Sequence, residues 1–321
     1  MAAQPLFTLA VVADIQYADK GDGHFEARTQ RFREAPAKLR AAVDAMLAEH
    51  AGDGTGGIAG SGGGGCGGLA AALSLGDIVD GYGDAPDAAA RAASDLEFIA
   101  AELERLEGAG VPLRHVPGNH CFAVPRGALL RRLGFPAGSS GYYSAPLGPG
   151  WRLIALDTTD VSLFGHEEGT PNAAEARRWL GAHPTSEHPN AQTWNGGLSA
   201  QQFAWLRAEL AAAKAEGQRA VVACHHPLAP GSAPAHYLAW DHAAIRAALE
   251  SAPGTAAFAL TGHYHPGGAC EVNGIHYVTL EGLVEASTGS NAFAFVDFFA
   301  DRVEIRGHGA ATSRVLPLPA A

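Results

Sequence analysis

The run Ala70-Ala71-Ala72-Leu73-Ser74-Leu75-Gly76-Asp77-Ile78-Val79-Asp80 decides how the rest of the chain is read. Ala70 to Leu75 is a short apolar segment of the kind that makes a buried strand. It stops at a polar cluster, Gly76-Asp77-x-x-Asp80. The same punctuation recurs along the chain. Leu6 to Ala13 ends at Asp14-x-Gln16, and Leu113 to Val116 ends at Gly118-Asn119-His120. Arg219 to Ala223 ends at His225-His226, and Ala257 to Thr261 ends at Gly262-His263-x-His265. Helical spacing lies between these strands. It covers Arg31 to His50, with Leu39, Val43, Met46 and Leu47 on one face, and Asp87 to Glu107, with Leu96, Ile99, Leu103 and Leu106. Ser199 to Glu216 is a third helix, opened by Ser199 as N-cap with Gln202 three residues on, and Asp241 to Glu250 is a fourth. Tyr142 to Ala145 and Trp151 to Leu156 form a hairpin around a Pro/Gly turn. Further strands lie near Ile275–Leu280, Ala292–Phe298 and Arg302–Gly307. The order is βαβα followed by mixed strands, so the expectation is an α/β fold with helices on both sides of its sheets. Functional groups in such sheets gather at the carboxyl ends of the strands. The polar clusters should therefore meet in one crevice.

Composition narrows what that crevice does. The chain has 321 residues, 47% hydrophobic and 17% charged, which is an ordinary globular balance. No linker divides it, so residues 1–321 are expected to form a single domain. The Gly-rich stretch at about 52–68 reads as a flexible surface insertion. The alternative, a phosphate cradle, needs a Lys-Ser/Thr ending that this stretch lacks. A net charge of −11 disfavours nucleic acid and anionic membrane surfaces as partners. No apolar run approaches the ~18 residues of a spanning helix, and Met1-Ala2-Ala3-Gln4-Pro5 has no basic leader. Cys66, Cys121, Cys224 and Cys270 show no CxxC spacing. That argues against a disulfide framework or zinc ribbon and for a reducing, cytoplasmic setting. No protein partner is implied. The count that stands out is His, at 15.

Each cluster alone has a plain structural reading. Asp14 can cap a turn, Gly76-Asp77 can be a βα turn, Gly118-Asn119 can be a left-handed turn, and a His pair can sit satisfied in a core. Together, Asp/Gln, Asp, Asn, His and His-x-His after five strand ends point to metal chemistry. These residues offer oxygen and imidazole donors without cysteine, a mixed set that suits Mn, Fe or Zn rather than a structural zinc site. Two close cations need a shared carboxylate, and such pairs activate water for in-line phosphoryl displacement.

The ordered set D-x-Q, GDxxD, GNH, HH and GHxH resembles the calcineurin-like metallophosphoesterase superfamily. With Gln16 in the second position of Ala13-Asp14-Ile15-Gln16-Tyr17-Ala18-Asp19, it resembles the manganese-dependent ADP-ribose/CDP-alcohol diphosphatases. Gly141-Tyr142-Tyr143-Ser144, Leu156-Asp157-Thr158, Asn195-Gly196-Gly197-Leu198-Ser199, Leu238-Ala239-Trp240 and Ser290-Asn291-Ala292-Phe293 extend the likeness over nearly the whole chain. The resemblance implies a β-sandwich flanked by helices, in four α/β/β/α layers. It implies two divalent ions, Mn²⁺ first and Fe or Zn as alternatives. Asp14, Gln16 and His265 would hold one ion; Asn119, His225 and His263 would hold the other; Asp77 would bridge them. His120 would act on the leaving oxygen, oriented by Asp80. His226 would be packed or would support a ligand. Cys121 stands where many superfamily members carry Glu. Phe25 would stack on the base or simply pack in its loop. Arg33 would reach a phosphate or lie exposed on its helix. Tyr237 and Leu198 are candidate walls of the base pocket.

The activity so implied is hydrolysis of the phosphoanhydride bond of ADP-ribose or of CDP-alcohols such as CDP-choline and CDP-glycerol. The products are a nucleoside monophosphate and a phosphorylated alcohol or sugar. The alternative within the same fold is a phosphomonoester or protein phosphatase. A degenerate, non-catalytic scaffold would need ligand positions to be lost, and none is. A nuclease would need a basic stripe, and none is present.

Overall fold

Strands that read as unbroken apolar runs are usually buried on both faces. The computed structural model, which describes residues 4–52, 68–136 and 140–319, builds them that way. In β1 (Phe7–Val12) every residue is buried; Phe7, Leu9 and Val11 enter one core, while Ala10 and Val12 enter another. A hairpin of β2 (Gly23–Phe25) and β3 (Arg28–Gln30) follows, then α1 (Ala35–Ala51) and β4 (Leu69–Ser74). After α2 (Ala88–Gly108) come β5 (Leu113–His115), α3 (Arg126–Arg132), β6 (Tyr143–Gly148), β7 (Trp151–Ala155) and α4 (Pro171–Ala182). Next are α5 (Ala200–Ala215), β8 (Arg219–Ala223), α6 (His242–Glu250), β9 (Ala256–Thr261), β10 (Gly268–Val272) and β11 (Ile275–Thr279). β12 (Ala292–Phe298), β13 (Arg302–Gly309) and β14 (Arg314–Pro317) close the order.

Two six-stranded sheets result, in the orders β14-β13-β12-β1-β4-β5 and β10-β11-β9-β8-β7-β6. Their facing sides share one core, where Leu9, Val11 and Leu73 meet Leu153, Val221 and Phe258. α1 and α2 cover the outer face of the first sheet through Leu39, Val43, Met46, Leu96, Ile99 and Leu103. α5 and α6 cover the second through Leu206, Leu210, Ile245 and Leu249. The expected four-layer α/β/β/α sandwich is the observed one. Parallel pairing joins β1, β4 and β5 in one sheet and β7, β8, β9 and β11 in the other. The carboxyl ends of both parallel sets therefore open on the same edge of the sandwich, where the site forms.

Local departures from the sequence reading have physical causes. α1 starts at Ala35 rather than Arg31, because Phe32–Glu34 forms a 3₁₀ turn and Pro36 occupies the first turn of the helix. Ser199 caps α5 by accepting from the Gln202 N–H, yet the Gln202 side chain does not close a capping box. It bonds the Asp157 backbone and Asp160 instead, and Asp160 takes the Ser199 N–H. β2–β3, β10, β14, α3 and α4 lie outside the elements expected from sequence. The β2–β3 turn uses Glu26 and Ala27, both at positive φ (47° and 63°), where Asn-Gly or Asp-Gly is the usual signal. The Gly-rich insertion lies almost wholly outside the described residues, at 53–67.

Candidate active site

The strand ends set the backbone before they set the chemistry. Seven non-glycine residues among those described have positive φ, and four of them are Asp14 (50°), Gln16 (44°), Asp77 (49°) and His263 (70°). Such conformations cost of order 1–3 kcal/mol each and persist where the surroundings impose them. Here they turn side chains from adjacent strand ends toward one point. Two motif glycines permit the crowding. A Cβ on Gly118 would strike the Asp77 carboxylate, and one on Gly262 would lie 2.7 Å from Asp14 Oδ2.

Donor atoms of Asp77, His225 and His263 lie within 4.8 Å of one another, all buried. His225 Nε2 is 3.2 Å from Asp77 Oδ2, 2.9 Å from Asn119 Oδ1 and 3.2 Å from His263 Nδ1. On the other side of Asp77, Gln16 Nε2 is 3.4 Å from the same Oδ2. His265 Nε2 is 3.4 Å from Asp14 Oδ1, and Asp14 accepts the His263 N–H at 3.0 Å. The seven residues singled out as ligands thus form one buried cluster, with Asp77 between two subsets. As placed, Gln16 turns its N–H toward Asp77 and its carbonyl toward Gln30 Nε2, 3.3 Å away. Rotating the amide by half a turn exchanges them, which a ligand role requires.

The imidazoles test whether cations fit. His225 Nδ1 donates to the Leu75 carbonyl at 2.8 Å. His265 Nδ1 donates to Glu285 Oε1 at 2.8 Å. His263 Nε2 donates to Asn195 Oδ1 at 2.9 Å, and the Asn195 amide is oriented by donating to the carbonyls of Asn190 and His236. Each ring donates outward through one nitrogen and turns the other into the cluster. That is how ligating histidines are held. The donor set fits divalent cations. The sequence carries no signal for Asn195 and Glu285 as supports: Asn195 lies in the Asn195-Gly196-Gly197-Leu198-Ser199 motif with no role implied, and Glu285 follows β11 with no spacing pattern.

His120 stands beside this cluster. Its backbone N–H binds Asp77 Oδ1 at 2.8 Å, and its Nδ1 lies 3.0 Å from Asp80 Oδ1. Lys20 holds the other Asp80 oxygen and the Gly81 carbonyl. Burial pulls the His120 pKa down, but the Asp77 and Asp80 carboxylates outweigh it and hold the ring at about 9. His226 is different: it lies between Thr158 Oγ1 (2.7 Å) and the Trp194 carbonyl (3.3 Å), and burial with His225 alongside pushes it down to about 3. Cys121 is fully buried, and burial pushes its thiol up to about 12, so it is an inert packing residue.

A cleft of about 550 Å³ opens over the cluster. Phe25 and Tyr237 line it, as do Lys20, Arg28 and Trp194, which the sequence reading did not assign. Two candidates fall elsewhere. Arg33 is 61% exposed and paired with Asp19 at 2.7 Å, outside the residues that line the cleft; its short helical turn points it to solvent. Leu198 is buried in the core beneath α5 and α6, where its apolar side chain packs while its N–H bonds Asp241.

A protein-family model described as calcineurin-like phosphoesterase matches residues 7–267. The chain belongs to that family. Among curated relatives of this phosphoesterase, a manganese-dependent ADP-ribose/CDP-alcohol diphosphatase from Danio rerio is 32% identical, covering 95% of this chain and 96% of the relative. One of the same name from Oryza sativa subsp. japonica is 29% identical over 95% and 92% of the two chains. A solved dimetal phosphatase from Danio rerio superposes with a TM-score of 0.85 at 29% identity, covering 98% of this phosphoesterase and all of that chain. The expectation of a calcineurin-like, metal-dependent hydrolase holds. Among the described residues, no helix is long and apolar enough to cross a membrane.

Proposed function

We propose that this phosphoesterase hydrolyses the phosphoanhydride bond of ADP-ribose and CDP-alcohols, releasing a nucleoside monophosphate and a phosphorylated sugar or alcohol. The observation that carries the reading is the trio of histidines, each donating outward through one nitrogen and turning the other into a buried cluster with Asp77 and Asp14. Relatives that carry this activity in their names match nearly the full chain. Asp14, Gln16 and His265 would hold one divalent ion, Asn119, His225 and His263 the other, with Asp77 shared between them. Manganese is the first choice, since Gln in place of an imidazole makes a harder donor set. Two such ions supply an activated water and neutralise charge on the phosphoryl oxygens.

The chain's own residues do the rest. Asp80 fixes the His120 ring through Nδ1, so Nε2 is the nitrogen left to give a proton to the departing oxygen. The cleft volume lies within the range that encloses a small-molecule ligand. Cys121 and Cys224, buried and unpaired, suit the reducing conditions of the cytoplasm, the compartment we assign. The test is a substrate panel on metal-stripped protein with Mn²⁺ or Mg²⁺ restored. The panel is ADP-ribose, CDP-choline, CDP-glycerol and p-nitrophenyl phosphate. Mn²⁺-dependent release of AMP or CMP is expected. Activity on the monoester alone would overturn the diphosphatase reading and leave a phosphatase.

A further inference from the structure

Among the described residues four large apolar side chains are exposed, and two of them, Phe25 (43%) and Trp194 (36%), line the same cleft. They are gathered on one flank by polar contacts. The β2–β3 hairpin that carries Phe25 reaches across to Tyr237, whose hydroxyl bonds Arg28 Nη2 at 2.9 Å and Glu26 Oε2 at 3.0 Å. Tyr237 lies 5.6 Å from the His263 ring, and Trp194 precedes Asn195, which holds that ring. Tyr237 therefore stands beside His263 at the carboxyl ends of the second sheet, with the Phe25 hairpin bonded to it and Trp194 next in sequence to the His263 support. His120, with Asp80 and Lys20, stands on the opposite flank, beside Asp77 and Asn119 at the carboxyl ends of the first. His24 also lines the cleft beside Phe25, but of these two histidines His120 is the one that bonds Asp77 and is held by a second carboxylate, Asp80, while the exposed aromatics lining the cleft, Phe25 and Trp194, belong to the other flank.

We propose that this asymmetry orients the substrate and so selects which phosphorus is attacked; the proposal rests on the diphosphatase reading above. The nucleobase is the one planar π-group that ADP-ribose and CDP-alcohols share, and it stacks at the Phe25–Trp194–Tyr237 flank. The nucleoside-bearing phosphorus then lies over the ligand cluster, and the second phosphate lies toward His120. A bond forms between the water oxygen and the nucleoside-bearing phosphorus. The bond from that phosphorus to the bridging oxygen breaks, and the bridging oxygen leaves with its electron pair on the second phosphate. It takes a proton from His120, which the proton lost by the water replaces. One water is consumed, and its oxygen ends in the nucleoside monophosphate.

The test is hydrolysis of CDP-choline and ADP-ribose by the Mn²⁺-loaded protein in ¹⁸O-water, with both products weighed by mass spectrometry. The expected result is label in CMP and AMP, with phosphocholine and ribose 5-phosphate unlabelled. Label in the phosphorylated alcohol or sugar, or divided between products, overturns the orientation while leaving the diphosphatase reading intact. Failure to cleave either substrate overturns that reading and the orientation with it. A second measurement needs no turnover. AMP and CMP should quench the tryptophan emission of metal-stripped protein, phosphocholine and ribose 5-phosphate should not, and Trp194→Phe should remove most of the quench. Undiminished quenching in Trp194→Phe, or no quenching by either nucleotide, removes Trp194 from the base site.

Discussion

Glu285→Ala is the substitution that most directly tests how the candidate metal centre is organised. Glu285 is mostly buried and touches no other proposed ligand, yet its Oε1 takes the His265 Nδ1 proton at 2.8 Å. That bond orients the ring so that Nε2 is the nitrogen facing Asp14 and available to a cation. Without the carboxylate, the ring is free to turn and to carry its proton on the wrong nitrogen. Loss of such a support typically costs about 10–100-fold in metal affinity, or ~1.4–2.7 kcal/mol. The effect should fall on one ion of two, because His225 and His263 are held by Leu75 and Asn195 instead. Mn²⁺ titration of the stripped protein, followed by the electron paramagnetic resonance signal of free Mn²⁺, separates the two sites. In Glu285→Ala one site should weaken by that factor while the other keeps its wild-type affinity. Glu285→Gln retains an acceptor oxygen and should stay within a few-fold of wild type. Arg28 Nη1, 3.6 Å from Glu285 Oε2, loses a partner in the alanine variant, so folding is checked by circular dichroism. Two unchanged sites in a folded Glu285→Ala protein would refute the reasoning, as would Gln and Ala variants that lose the same affinity.

Other predictions follow from the same geometry. His120→Ala should bind both ions as wild type does and lose about 10²–10⁴ in turnover; loss of an ion, seen in the same titration, would make His120 a ligand instead. Ala27→Gly relieves a positive φ of 63° in the hairpin turn and should raise stability by up to about 1 kcal/mol in a urea melt, unless the hairpin frays. Asp241 is buried with Oδ1 unpartnered, and burial raises its pKa to about 7. The folded state therefore holds a proton that the unfolded state releases above about pH 4, and stability drains away as pH rises from there to about 7. Asp241→Asn should flatten that slope, so that its melting temperature gains on wild type more at pH 8 than at pH 5; parallel curves would place the Asp241 carboxyl at an ordinary pKa.

The layers and the cluster were legible because they rest on runs and punctuation. Arg219–Ala223 and Ala292–Phe298 have the bounds expected from sequence, and each polar cluster sits where a strand ends. What escaped was set by tertiary partners. Arg33 and Leu198 have the right residue types for a substrate pocket, but a surface Asp19 captures one and the α5–α6 core the other. Lys20, Trp194 and Glu285 carry no spacing signal, since their positions come from loops folded back across the sheet edge.

The β2–β3 hairpin shows why that part of the site resists reading. Its strands are three residues each, and its turn runs through Glu26 and Ala27 at positive φ with no glycine to mark it. Locally it has the Arg28–Glu26 pair across the turn (3.0 Å), and Tyr237 and His236, over 200 positions away, hold those same two side chains. Those contacts join the hairpin to the aromatic flank, and Arg28 also approaches Glu285, the support of His265. The strained turn, the base-facing aromatics and one half of the ligand cluster are thus a single connected unit. A change in the hairpin should therefore alter nucleotide affinity and the affinity of the His265-side ion together, with a smaller effect on the His225–His263 side, because Arg28 touches Glu285 directly and reaches His263 only through Tyr237. Arg28→Met tests the coupling by the same Mn²⁺ titration alongside nucleotide quenching of Trp194. A variant that loses nucleotide affinity with both ions unchanged would show the hairpin to be a base wall only, uncoupled from the metal centre.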